Sequence, residues 1–251
     1  MPSGGPADGD TGAGGSALTR LRVDDRWALA TAACAQAGAL AALLATVDLG
    51  PAGWTAGSAY LVVGTGVLVW AVRRAGGDVL GPADLVTLGR TVLIGAVTAM
   101  VADGGHVWPV TVLASLALAL DLVDGPVARR TGTASAFGAR FDMEADAFLI
   151  LVLSVWAAPV VGPWVVAIGA TRYVFALAGR MAPWLRGPLP PSRARKVVAA
   201  VQGVALVVAG APVLPWWGAA AVAGGALAAL VWSFGRDVAG LWRDRDERGG
   251  A

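Results

Sequence analysis

DLVDGPVARRTGTASAFGARFDMEAD, residues 121–146, is a polar stretch set between two long apolar runs, and the fold turns on how it is read. Ionisable side chains at the edge of hydrocarbon are costly and mark function by default. If the apolar run before it continues as a helix, steps of 100° put Asp121, Asp124, Gly125, Ala128 and Arg129 within roughly 140° of arc, on one face. After the connection, Gly138, Asp142 and Asp146 recur at i, i+4 and i+8 on one stripe, while Glu144 points nearly the opposite way. The stretch thus predicts a helical hairpin with two facing acidic stripes at its polar end.

The rest of the chain supplies the hydrocarbon. With 57% hydrophobic and 14% charged residues over 251 residues, the composition is that of an integral membrane protein. Runs long enough to cross a bilayer, about 20 residues each, predict eight spans: Trp27–Val47, Trp54–Val72, Leu85–Ala102, Val107–Val123, Asp142–Val160, Pro163–Trp184, Lys196–Val213 and Trp216–Phe234. Residues 1–26 read as a disordered tail, since Met1–Thr19 has almost no large apolar side chain; they do not read as a secretory leader. Residues 243–251 read as a second tail. Cys34 is expected to be a packing residue without a disulfide partner, and His106 a turn residue rather than a metal ligand. A formal charge of +2 with scattered arginines excludes a nucleic-acid surface.

Charge orients the spans. The nineteen Lys and Arg residues fall in the N-terminal tail, the stretch after Phe234, the Arg73–Arg90, Arg129–Arg140 and Arg180–Lys196 connections, or at Arg172, and the intervening turns carry none. The positive-inside rule therefore puts both termini and the acidic stripes on the cytoplasmic side. Tryptophans near span ends, among them Trp54, Trp108, Trp164, Trp216 and Trp242, suit an interfacial belt, and glycines inside the spans suit close helix packing.

Bare carboxylates gathered so closely repel one another, and divalent cations remove the conflict. Oxygen ligands without His or Cys favour Mg2+ or Mn2+. Two such ions would clamp a phosphate-bearing substrate, with Gly125 admitting it close to the backbone and Arg129 pairing with a phosphate oxygen. A divalent-cation carrier would more naturally place its acids near the bilayer midplane. An intramembrane prenyltransferase also binds diphosphate through aspartates and magnesium, but with D-x3-D patterns on separate helical bundles.

These residues fit D-x2-D-G-x2-A-R-x8-G-x3-D-x3-D without a gap and strongly resemble the CDP-alcohol phosphotransferase family. Upstream, Asp84-Leu-Val-Thr87-Leu-Gly-Arg90 is similar to the family's N-x2-T-x2-R stretch, with Asp in the Asn position. The resemblance implies an all-α fold in which residues 81–242 form a six-helix catalytic core and residues 27–80 add two N-terminal spans. It implies transfer of a phosphatidyl group from CDP-diacylglycerol to an acceptor alcohol with release of CMP, and a homodimer. Glycerol 3-phosphate is the default acceptor, with inositol phosphate, a phospholipid or an amino alcohol as alternatives.

By position, Asp121, Asp124, Asp142 and Asp146 would hold the metals, and Asp146 would also serve as the base. Thr87, Gly125, Ala128, Arg129 and Gly138 would bind the CDP moiety. Arg172, midway along a span, and Arg193, Arg195 and Lys196, similar to the basic stretch of phosphatidylglycerophosphate synthases, are candidates for the acceptor. Each has a plainer explanation, a structural ion pair for Arg172 and charge topology for the others.

Overall fold

A computed structural model describes residues 34–35, 37–42, 44–75, 82–104, 106–131, 136–182, 184 and 193–249. Of residues 68–75, 82–88, 122–131, 136–141, 193–194, 196 and 244–249 it describes the backbone alone. The expected tail at 1–26 and residues 27–33 of the first expected span lie outside the described residues. Among those described the chain is all helix and turn, as the span-length apolar runs and the resemblance imply.

After helical residues between 34 and 44, the helices are α1 (Pro51–Ala75), α2 (Pro82–Asp103), α3 (Val107–Thr131), α4 (Ala136–Val161), α5 (Val166–Met181), α6 (Arg193–Gly210) and α7 (Trp216–Gly249). Proline opens α1 and α2, where its fixed φ suits the first turn and its missing N–H costs nothing. Gly104 (φ 75°) ends α2 and Gly162 (φ 105°) ends α4, each in a conformation that L side chains resist. A single 3-10 turn, Pro163–Val165, then leads into α5.

The helices differ from the expected spans where the chain turns polar. α3 continues through Thr131, so the whole DLVDGPVAR stretch is helical, and α4 begins at Ala136, which puts Asp142 in its second turn. α7 runs on past Phe234 to Gly249, taking up residues 243–249. Its extension is held by Asp237, which pairs with Arg195 of α6 at 3.3 Å, and by Trp242, which meets Trp184 edge to face.

α4 is the central helix, packed against α2, α5, α6 and α7, and Leu149, Leu153 and Ala157 form its fully buried stripe. Small residues let the helices close: Ala96, Ala99, Ala114, Ala117, Ala209, Ala219 and Ala223 are all fully buried. Backbone meets backbone closely where α5 packs on α4, since a Cβ on Gly169 would lie 2.4 Å from the Leu151 Cα. The outside is apolar as well. Val62, Val63, Val112, Leu116, Val155, Val174, Leu177, Val204 and Val231 are exposed.

Asp142–Val161 and Trp216–Arg243 are long and apolar enough to cross a membrane, and only 33% and 28% of their apolar windows are buried, unlike the core helices of a water-soluble domain. Val107–Asp121 and Val197–Gly210 are shorter apolar helices. The expected tryptophan belt is exposed, from Trp54 and Trp108 to Trp216 and Trp242. Cys34, expected to pack, is instead exposed, because it lies roughly 100° around the helix from the buried Leu40 and Leu44.

Candidate active site

Asp121 on α3 and Asp142 and Asp146 on α4 come together, with one carboxylate oxygen from each lying within 4.8 Å of the others. The local cause is helical spacing, since residues four apart stack on one face and the hairpin turns that face toward α3. The three side chains are 33%, 37% and 39% exposed, so the group opens to the molecular surface on one side.

On the other side stands a residue whose role was not assigned from sequence. Arg90 of α2, 1% exposed, reaches all three acids: Nη1 contacts Asp121 at 3.0 Å and also meets Asp142, while Nη2 meets Asp146. A planar guanidinium suits this position because its forked donors serve several carboxylates at once. Three acids against one arginine leave the group two negative charges in excess when all are ionised.

The donor set fits a hard divalent cation. All three ligands are carboxylates, and their oxygens lie within 4.8 Å of one another, so a small inward shift brings them to the about 4.2 Å or less that separates oxygens bound to one Mg2+ at about 2.1 Å. Such an ion would also balance the excess charge.

A polar and aromatic layer backs the charges. Thr91, next to Arg90, is buried, and its carbonyl accepts a hydrogen bond from the Tyr60 hydroxyl of α1 at 2.9 Å. The Tyr60 ring stacks on Phe148 of α4 with centroids 5.7 Å apart.

The remaining expected site residues divide. Asp124, Gly125, Ala128 and Arg129 continue the helix of Asp121, Gly138 lies on the first turn of α4, and Thr87 lies on α2 one turn before Arg90; their side chains are outside the described residues, as are those of Arg193 and Lys196. Glu144 faces away from the three aspartates, as its spacing predicts, and accepts a 2.5 Å hydrogen bond from Arg172 of α5. Arg172 is therefore engaged on the side of α4 opposite the acidic group.

Arg195 pairs with Asp237 at the start of α6. A Cβ on Gly203 would touch Leu118 and Ile150, three residues before Asp121 and four after Asp146. The α6 turn before Gly203 therefore stands level with the carboxylates, and Arg195 stands outward of them. Gln202, 5% exposed on the same helix, has a buried amide nitrogen with no hydrogen-bond partner among the described residues.

The family model described as CDP-alcohol phosphatidyltransferase matches residues 81–234, from the start of α2 into α7, and so contains all four members of the charged group. No curated protein and no solved structure matches. The chain belongs to the CDP-alcohol phosphatidyltransferase family and is a phosphotransferase enzyme.

Proposed function

We propose that this member of the CDP-alcohol phosphatidyltransferase family moves the phosphatidyl group of CDP-diacylglycerol onto an acceptor alcohol, with glycerol 3-phosphate as the first candidate. The observation that carries the reading is the meeting of Asp121, Asp142 and Asp146 around Arg90 inside the matched segment. Phosphoryl transfer asks for alignment and neutralisation of charge rather than covalent help, and a carboxylate group of this kind supplies the anchor.

In this reading Asp121, Asp124, Asp142 and Asp146 hold two Mg2+ or Mn2+ ions. When bound, these neutralise the donor diphosphate and the charge that develops on the departing CMP. Thr87, Gly125, Ala128 and Gly138 line the cytidine site, with Arg129 beside the diphosphate. Asp146 takes the proton of the acceptor hydroxyl as its oxygen bonds to the phosphatidyl phosphorus and the bond from that phosphorus to CMP breaks. Arg90 keeps the three acids at one place before substrate arrives.

Arg193, Arg195 and Lys196 lie outward of the carboxylates on α6, on the approach of a phosphorylated acceptor in this reading, with Arg195 paired to Asp237, whereas Arg172 meets Glu144 on the far side of α4. The reading includes eight membrane crossings, a cytoplasmic site and termini, and a homodimer. The crossings and orientation are supported by the distribution of Lys and Arg, the apolar exterior and the need for a donor whose acyl chains stay in lipid while its head group reacts in water, and the homodimer by the family resemblance alone.

The test is incubation of the purified protein with labelled CDP-diacylglycerol, Mg2+ or Mn2+ and a panel of alcohols, with CMP and the lipid product both identified. CMP release that requires metal and one acceptor is expected. Absence of CMP release with every acceptor overturns the reading, and metal uptake into liposomes without any lipid substrate would point to a carrier instead.

A further inference from the structure

Tyr60 lies on α1, outside the segment that the family model matches, yet its side chain touches both α2, which carries Arg90, and α4, which carries Asp142 and Asp146. Its hydroxyl bonds the carbonyl of the residue after Arg90 at 2.9 Å. Its ring stacks at 5.7 Å and 30° on Phe148, two residues beyond Asp146. A Cβ on Gly95 would lie 2.7 Å from that ring, so the ring rests directly on the α2 backbone.

The same edge of α1 follows α2 away from the site. Gly57 packs against Ala99, and the Gly53 N–H donates to the Asp103 carboxylate at 3.3 Å. These contacts fix how far α2 is turned about its own axis. The turn matters because a rotation of about 10° moves a group about 6 Å from the axis by about 1 Å. An error of that size is enough to disrupt a preorganised site.

We propose that Tyr60 is a positioning residue for the metal-binding carboxylates, bridging α2 and α4 so that Arg90 meets Asp142 and Asp146 in register. The added N-terminal helix is then part of the catalytic framework rather than a membrane anchor alone. This inference rests on the metal-dependent reading above.

The test uses the full chain in detergent, with Mn2+ binding followed by electron paramagnetic resonance and thermal melting measured on the same samples. Tyr60→Phe keeps the stacked ring and loses only the hydroxyl, so it should weaken Mn2+ about threefold while melting close to wild type. Tyr60→Leu loses both contacts and should weaken Mn2+ about tenfold. Val63→Ala, on the exposed side of α1, should change neither.

Wild-type Mn2+ affinity in Tyr60→Phe and Tyr60→Leu overturns the inference and leaves the proposed function standing. If Tyr60→Leu does not fold, wild-type affinity in Tyr60→Phe is enough to overturn it. Absence of Mn2+ binding and of CMP release in the wild type overturns the functional reading and this inference with it.

Discussion

Replacing Arg90 with Met removes the charge at the centre of the site while keeping a side chain of similar length in a position that is 1% exposed. The three carboxylate oxygens lie within 4.8 Å of one another, a distance at which two charges repel by about 3.5 kcal/mol at an effective dielectric of about 20. Three such pairs amount to about 10 kcal/mol if every acid stays ionised, and screening of side chains that are a third or more exposed, or uptake of a proton, reduces it. Loss of one partner from a buried ion pair measures about 3–5 kcal/mol in practice, which in a chain of this size lowers Tm by roughly 6–20 °C.

Thermal melting of wild type and Arg90→Met, each with and without Mg2+, checks this. The variant should melt lower, and added Mg2+ should raise its Tm more than that of wild type, because the ion supplies the positive charge that the guanidinium supplied. Arg90→Lys should fall between them, keeping the charge but not the fork. The reasoning is refuted if Arg90→Met melts with wild type and responds equally to Mg2+.

The other predictions address separate parts of the structure. Asp146→Asn should keep donor binding but lose at least about 100-fold in turnover, whereas Asp121→Asn should also weaken metal-dependent donor binding; near-normal turnover in either variant would count against the assigned roles. Gly169→Ala places a Cβ 2.4 Å from Leu151 Cα and 2.9 Å from its N, well inside contact distance, and since backbone must move it should cost about 1–3 kcal/mol by denaturation. Gly224→Ala, with nothing within 4 Å, should be neutral or stabilising in the same assay. Gln202→Leu removes a buried amide nitrogen that has no partner among the described residues and should match or exceed the wild-type Tm. At the opposite end of the bundle from Arg90, the hydrogen bond from His106 and those from the Gly50 and Gly53 backbone hold the Asp103 carboxyl below its ordinary value. Its folded value being depressed, the stabilisation is complete above the ordinary carboxylate range and is lost as pH falls through the folded value, so the Tm advantage of wild type over Asp103→Asn should shrink on acidification below about pH 4.

What could be read from the chain was the part governed by a single helix. The i, i+4 step from Asp142 to Asp146, the opposite direction of Glu144 and the persistence of helix through DLVDGPVAR are local periodicities, and the structure shows them. What could not be read was which helices meet, because that is decided by approach distances between residues far apart in the chain. Arg90 stood in a quoted motif, yet its partners lie 31 to 56 positions away, and nothing in its own neighbourhood points to them. The Glu144–Arg172 pair depends on α5 closing onto α4 at Gly169, and the Tyr60 bridge on α1 lying against Gly95. In these last two cases a glycine without a side chain sets the spacing at which a charged or aromatic partner is met. In a bundle whose inside and outside are both apolar, hydrophobicity says little about which face turns inward, and the small residues are what remain to decide it. The glycines at 95 and 169 therefore mark inter-helix contacts as informatively as the aspartates mark the chemistry, and substitutions there should disturb the site without touching any group that reacts.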